Sequence, residues 1–388
     1  MPTRIAFICP VQCDPREQRR GATLQPFFDQ AVAICYQRGF YPENTWAEAI
    51  EVVLLPKAID GAHMRRLLGF PIAFAQAKSA VQGFAGAQVI YAFGLESGII
   101  ANLVRRPGDM VIWEIADLPT VAMKQPIKAT LARKAEKWVL GKCDWLVMTS
   151  QAMFDIYYGK IAPSTRQKLL LVENRLPDTY KHFAGRTKTG ASKPLRLGWS
   201  GFLRNEHLYK RLLEAVAADG GRRVCLEIWG GGPGAAMAGE YAEKYPNVAF
   251  HGTYKETPEK LRHIHRRTDL HVVLDDGSNL NVRAALPNRL FYCLAYETPL
   301  IVTAGTAKEL RVTELGVGMG VDEKNVDWSD LFEHLADGVL VNRWLANLRS
   351  VPDEMRYLDS RELISAIEEW KDALLKETGD LTGHGPGG

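Results

Sequence analysis

The residues Gly230-Gly231-Gly232-Pro233-Gly234 close a β-type run (LEIW) and open a helical one (AAMAGEYAEKY). Glycines at such a junction let a backbone approach a ligand closely, and the helix behind them offers unpaired N–H groups to a phosphate. A tight strand-to-helix turn without a ligand has the same composition, so the run alone assigns no site. A dinucleotide fingerprint would need a carboxylate at the end of the next strand, and that strand, NVAFHG, ends in His251-Gly252. Three acids, Glu96, Glu114 and Asp117, stand at or just past the ends of candidate strands. Strand C-termini line the ligand crevice of a parallel sheet, and a carboxylate there can bind a hydroxyl or take its proton. Asp275-Asp276-Gly277 follows another strand and reads as an acidic loop rather than a metal site. The 9 histidines show neither triad nor metal spacing, and His263 and His265, in the basic segment RHIHRRTD, are expected at the surface.

These residues need a scaffold, and the chain describes one. Short β-branched runs alternate with amphipathic stretches, the signature of parallel sheets with crossover helices. In the first half RIAFICP, AIEVVLLP, AQVIYAFG, DMVIWEIAD and DWLVMTS read as strands, and LQPFFDQAVAICYQRG and KATLARKAEKWVLGKC carry helical spacing. In the second half LRLGWSG, VCLEIWGGG, NVAFHG, LHVVLD and PLIVTAG read as strands, with HLYKRLLEAVAADGG, PEKLRHIHRRTD and LPNRLFYCLAYE as helices. The expected division is an N-terminal Rossmann-like domain over 1–182, a small, polar and basic linker over 183–194, a C-terminal Rossmann-like domain over 195–357, a helix over 358–376 and a disordered tail over 377–388. Two doubly wound α/β domains facing each other across a cleft are the natural assembly for 388 residues.

In the second half five successive blocks resemble the family-four ("group 1") glycosyltransferases of the GT-B type. They are LRLGWSGFLRNEHLYKRLLEAV, LEIWGGGP, NVAFHGTYKETPEKLRHIHRRTDLHVVL, NVRAALPNRLFYCLAYETPLIVT and GTAKELRVTELGVGMGVD. WLVMTSQAM and LLLVENRLPD extend the resemblance toward the N-terminus, and DPREQRR, VIYAFGLESG and IWEIADLP continue it more loosely. The resemblance implies a retaining glycosyltransferase that moves a sugar from a UDP- or GDP-sugar to a saccharide or lipid-linked saccharide, as in bacterial surface polysaccharide synthesis. It implies no cofactor beyond the nucleotide-sugar co-substrate and no metal. It places Gly201 at the first donor-loop glycine, Arg204 as the nearest cation to the pyrophosphate, and Gly230, Gly231 and Gly232 at the donor turn. Asn281, Asn288 and Arg289 fall on the helix start facing the donor, Arg289 standing where the family has lysine. Where the family carries two glutamates this chain has Ala284 and Tyr292, and Tyr292 can offer the donor a hydroxyl. Glu297 replaces the family's small glycine and is expected as a surface charge. Glu96 and Asp117 are the catalytic candidates. A non-catalytic nucleotide-sugar-binding protein, or a sugar-nucleotide epimerase on the same fold, is the alternative.

Bulk properties limit the partners. A net charge of +3 argues against a dedicated nucleic-acid binder. The charge is uneven: residues 1–178 hold 21 Lys and Arg against 16 Asp and Glu. Two stretches, MRRLLGFPIAFAQAK with Arg65, Arg66 and Lys78, and KQPIKATLARKAEKWVLGK with Lys124, Lys128, Arg133, Lys134, Lys137 and Lys142, mix cations with large apolar side chains. Such surfaces suit anionic headgroups, so peripheral contact with an anionic membrane is an expectation beside a core-facing helix. The 6 scattered cysteines, with no C-x-x-C pair, read as buried free thiols of a reducing compartment. The expected location is the cytoplasm, peripheral at the inner face of the plasma membrane.

Overall fold

Segments such as Thr3–Cys9 are apolar on both faces, the pattern of a strand covered by helices on either side. The computed structural model describes residues 3–12, 14–37, 46–57, 63–118, 126–185 and 190–382, and divides the chain into two units, 1–172 with 359–388, and 173–358.

The first unit is a parallel sheet of 7 strands in the order β3-β2-β1-β4-β5-β6-β7. Its elements are β1 (Thr3–Cys9), α1 (Pro15–Leu24), β2 (Gln30–Gln37), β3 (Glu51–Lys57), α2 (His63–Gln82), β4 (Ala87–Phe93), α3 (Gly94–Val104), β5 (Met110–Ile115), α4 (Pro126–Lys142), β6 (Trp145–Met148) and β7 (Leu169–Leu171). The strand order reverses between β1 and β4, so the crevice at their C-terminal ends is this unit's topological switch point.

The second unit is a parallel sheet of 6 strands in the order β10-β9-β8-β11-β12-β13. It comprises β8 (Leu195–Phe202), α5 (Glu206–Asp219), β9 (Val224–Gly231), α6 (Ala235–Lys244), β10 (Val248–Phe250), α7 (Pro258–Arg267), β11 (Leu270–Val273), α8 (Leu280–Ala284), α9 (Asn288–Ala295), β12 (Leu300–Thr303), α10 (Ala307–Glu314), β13 (Gly318–Val321), α11 (Trp328–Ala336), α12 (Val339–Arg349) and α13 (Asp353–Arg356). Here the order reverses between β8 and β11. Its core joins Leu197, Trp199, Leu226, Ile228, Val272, Leu290 and Val302, and the rings of Trp199 and Tyr209 stack with centroids 3.7 Å apart.

Several expectations are corrected. LQPFFDQAVAICYQRG is not a helix: Gln25–Phe27 makes one 3₁₀ turn and Gln30–Gln37 is the central-flanking strand β2. An uninterrupted apolar run fits either element by periodicity, and pairing to β1 on one side and β3 on the other decides it. The boundary falls between 172 and 173 rather than in 183–194, because the segment around Glu173 and Arg175 pairs with Arg311 and Glu354 of the second unit. Residues 186–189 of that stretch lie outside the described residues. The helix expected over 358–376 is α14 (Arg361–Thr382), longer than anticipated, and it belongs to the first unit. There Trp370 donates to the Gly108 carbonyl at 3.1 Å, and the Lys371 ammonium sits 4.5 Å from the Phe28 ring. Residues 383–388 of the expected tail lie outside the described residues.

Glu297 is not a surface charge. It holds the left-handed backbone (φ 51°) between α9 and β12, and its carboxylate is 3.3 Å from Nη1 of Arg356, which is buried. Arg356 also donates to the Val351 and Leu348 carbonyls, so Glu297 is its counter-ion. Glu297→Ala should lower unfolding free energy by roughly 2–4 kcal/mol in urea titrations, by leaving a buried guanidinium unpaired. Glu297→Gly should lose about 1 kcal/mol less, because glycine relieves the left-handed strain.

Glu227 on β9 accepts from Arg267 at 3.0 Å, Arg196 at 3.2 Å and His251 at 2.7 Å. Burial alone would raise its pKa, but the hydrogen bonds from Arg267 and His251 outweigh burial and hold it below the usual 4.5. A depressed folded pKa means the contribution is complete above about 4.5 and fades as pH falls through the lower folded value. Glu227→Gln should therefore cost stability near neutrality and flatten the loss between pH 5 and 3, read from Tm against pH.

Candidate functional site

The second sheet brings three sequence-distant segments to one point, the C-terminal ends of β8, β9 and β11. Gly201 is the register partner of Gly230, and Phe202 of Gly231. A side chain on Gly230 (φ 143°) would set its first carbon 1.9 Å from the Gly201 carbonyl oxygen, so only glycine fits. Packing against the β8 end thus accounts for this glycine, independently of any ligand. On Gly201 (φ 103°) the same carbon would meet Cδ of Arg289 at 3.3 Å. The glycine turn, the β8 loop and the α9 start therefore converge, with the Arg289 side chain laid against the bare backbone of Gly201.

Arg289 is the second residue of α9, whose cap position, Pro287, provides no side-chain hydrogen bond to the first-turn N–H groups. A helix start carries partial positive charge, and here the Leu290 N–H is taken by the Pro287 carbonyl at 3.0 Å. The guanidinium is largely covered, 18% exposed, and its Nη2 lies 3.6 Å from Asp275 Oδ1. A second cation meets the same carboxylate: Lys308, in the first turn of α10, is 2% exposed and pairs through Nζ with Asp275 Oδ2. Burial lowers the Lys308 pKa, and Asp275 opposes that shift. Asn205, left-handed at φ 57°, extends Nδ2 to 3.4 Å from Asp275 Oδ1. The Asp275 backbone is fixed by Thr303, whose hydroxyl accepts from its N–H and donates to its carbonyl, both at 2.9 Å. Gly277 N–H donates to Glu323 Oε1 at 3.1 Å. Tyr209, its hydroxyl pKa pushed up to about 12 by burial, takes the Leu274 N–H at 3.1 Å just before Asp275. Asp275-Asp276-Gly277 is thus not a bland loop. Its first acid holds two cations at the switch point, and Glu323 adds a second carboxylate that acts on Lys308.

The remaining anticipated residues are placed as follows. Arg204 is exposed, its guanidinium 5.1 Å from the Phe202 ring. Asn281 lies in α8 with its N–H bonded to Asn279 Oδ1 at 2.9 Å, and Asn288 opens α9. Gly231 and Gly232 continue the β9 end, Gly232 beneath the Phe202 ring. Ala284 is fully buried. Tyr292 does not present a hydroxyl to an open crevice: it is 2% exposed, packs with Leu176, Leu261, Ala295, Tyr296 and Tyr357, and donates to Glu256 Oε2 at 2.6 Å.

In the first unit, Glu96 occupies the first turn of α3 and accepts from Tyr36 at 2.7 Å. Asp117, two residues past β5, is exposed and acts on the charge of Arg16. Glu114 is a buried counter-ion rather than an open base: Arg20 Nε donates to it at 3.0 Å, the Tyr91 hydroxyl at 2.5 Å, and Arg16 lies 3.6 Å away. Beside it burial pushes the Glu17 carboxyl well above its usual range. Lys308, Asn205, Tyr209 and this Arg16–Arg20 network were not anticipated as site residues. The Thr306-x-x-Glu309 capping pair does mark the start of α10, yet nothing local distinguishes Lys308 from a solvated lysine.

His263 is exposed as expected, but His265 is 2% exposed and groups with His271 and Cys293, the three ligand atoms lying within 4.8 Å. The two imidazoles stack at 4.5 Å and 19°, so their in-plane lone pairs run alongside each other instead of meeting at one ion. Hydrogen-bond partners Thr298 and Thr268, each at 3.1 Å, explain these rings as core groups. Among the described residues no helix is long and apolar enough to cross a membrane.

Neither a family model nor a curated protein matches the sequence. Solved structures do match the fold. The Anabaena protein HepE in complex with UDP-glucose superposes with a TM-score of 0.65 at 11% identity, covering 96% of this chain and 99% of that one. Sucrose-phosphate synthase from Thermosynechococcus elongatus gives 0.65 at 14% identity over 97% of this chain and 100% of its own. WaaG, a glycosyltransferase involved in lipopolysaccharide biosynthesis, gives 0.59 at 15% identity over 90% and 95%. The chain has the GT-B fold, built of two Rossmann-like units.

The close approach at β8–β9 yields a direct check. Gly230→Ala should destabilise the protein by about 2–4 kcal/mol in urea unfolding, since the new carbon overlaps a backbone oxygen that cannot rotate away.

Proposed function

We propose that the protein is a glycosyltransferase that takes a sugar from a nucleotide diphosphate donor and passes it to a saccharide or lipid-linked saccharide. The observation that carries this reading is the pair of shielded cations, Arg289 and Lys308, joined through Asp275 at the β8–β11 switch point beside an uncapped helix start. A diphosphate is the ligand that two such cations beside a helix start favour. Arg289 can grip its oxygens bidentately, while the positive end of α9 favours the remaining charge. As the glycosidic bond breaks, charge builds on the leaving diphosphate. Cations already fixed by Asp275, Asn205 and the protein core stabilise that charge without reorganising.

HepE bound to UDP and to UDP-glucose supports a uridine donor, with GDP-sugars as the second choice. WaaG supports an acceptor of the surface-saccharide kind. Retention of anomeric configuration, with the diphosphate taking the acceptor proton, is part of the same reading. So is metal independence, because two side-chain cations supply the neutralisation. Glu96 and Asp117 are the acids assigned to acceptor handling, each at the carboxyl edge of the first sheet. A second reading, a nucleotide-sugar binder without turnover, is favoured by one pair of observations: Ala284 is buried and the Tyr292 hydroxyl is already committed to Glu256.

Calorimetric titration with UDP and GDP tests the donor site. Arg289→Ala should weaken binding of the preferred nucleotide by roughly 10- to 100-fold, the loss of a charge-assisted bidentate contact. Equal affinity in wild type and variant would remove the assignment. Release of nucleoside diphosphate from a nucleotide-sugar panel, undiminished by EDTA, separates the transferase from the silent binder.

A further inference from the structure

Helix α4 (Pro126–Lys142) turns a sharply divided surface outward. Its inner face is Ala129, Glu136, Val139 and Leu140, all buried, and the helix packs beside α3. On the opposite face Ile127 is 79% exposed, Leu131 63% and Trp138 39%. At about 100° per residue these three positions fall within ~40° of one another, so they form one ridge along the helix. Lys134 and Lys142 interrupt the same ridge, and Lys137 lies to one side of it; all three are exposed. Glu136 is the helix's one acid, and it points inward, accepting from the hydroxyls of Tyr157 at 2.6 Å and Tyr158 at 2.7 Å. The outward surface therefore carries cations and no carboxylate. Lys124 lies outside the described residues.

We propose that this face of α4 docks the protein on an anionic lipid bilayer. An aliphatic ridge has no use in water, and a ring of cations cannot be buried against an apolar protein surface. A headgroup layer meets both demands at once, with ridge side chains reaching the acyl boundary and lysines extending to lipid phosphates. Trp138 suits that depth, having an apolar body and a polar N–H. Nucleic acid would meet the lysines but leave the central ridge without a partner. The inference does not depend on the donor site, which lies in the other unit.

The test is co-sedimentation of the full chain with vesicles of phosphatidylcholine alone or mixed with phosphatidylglycerol. Wild type should pellet with the mixed vesicles at low salt, remain in the supernatant with phosphatidylcholine, and be released as salt rises. Lys134→Glu with Lys137→Glu should lower partitioning at least five-fold per site, the effect of one juxtamembrane charge. Ile127→Ser with Leu131→Ser, both at exposed positions, should abolish pelleting while the UDP-induced thermal shift, or circular dichroism if UDP does not bind, shows the fold intact. Failure of the wild type to pellet with mixed vesicles overturns the proposal, as does either variant pelleting like wild type. Sedimentation velocity showing self-association that Leu131→Ser removes would make the ridge a contact between two copies instead.

Discussion

A buried lysine cannot stand alone, and the second unit is arranged around that constraint. Lys308 has 2% of its side chain exposed, and an unpaired ammonium there would cost several kcal/mol in desolvation. Asp275 offsets that cost and also meets Arg289, so one carboxylate serves two cations. Its orientation is overdetermined: Thr303 clamps its backbone from β12, Asn205 reaches it from the β8 loop, and Tyr209 secures the residue before it. A cation held this way in reduced dielectric at the edge of a sheet acts more strongly on an incoming anion than the same charge in water.

Topology puts this arrangement where a ligand can reach it. The strand order reverses between β8 and β11, and parallel sheets generally hold ligands outside the strand ends at such a point. Three positive-φ residues shape this edge, Gly201 at φ 103°, Gly230 at φ 143° and Asn205 at φ 57°. They allow the β8 and β9 ends to touch and Arg289 to lie over Gly201.

Much of the fold was legible because apolar runs of strand length alternate with amphipathic runs of helix length. LRLGWSG, LEIWGGG and LHVVL became β8, β9 and β11, and KATLARKAEKWVLGK became most of α4. The failure at β2 is instructive. QAVAICYQ is buried on both faces, so it shows no period of 2, and only its two partner strands identify it. The glycines and Arg289, whose types and order are unusual in the sequence, are brought together by the fold. It was not legible in Lys308 or Asp275, because burial and ion pairing between positions 33 residues apart leave no local mark. The converse held for Tyr292 and Glu297: their types suggested a ligand contact and a surface charge, whereas the fold uses both internally.

The charge of the N-terminal half shows the same dependence on burial. The sequence records only a modest excess of cations there. Among the described residues of the first unit, the buried charged groups are Glu17, Asp109, Glu114 and Glu136 against Arg4 and Arg20. Acids are thus withdrawn from solvent more than cations, Glu114 by Arg20 and Tyr91, Asp109 by Arg106, Glu136 by Tyr157 and Tyr158. What remains facing water is more positive than composition indicates, and α4 is where this bias is sharpest. A uniform excess would favour solubility; an excess gathered on one helix around an aliphatic ridge favours a flat anionic surface. An enzyme acting on a lipid-linked saccharide would gain from being held at that surface, since confinement to the plane raises the effective concentration of its acceptor without any new contact in the donor site.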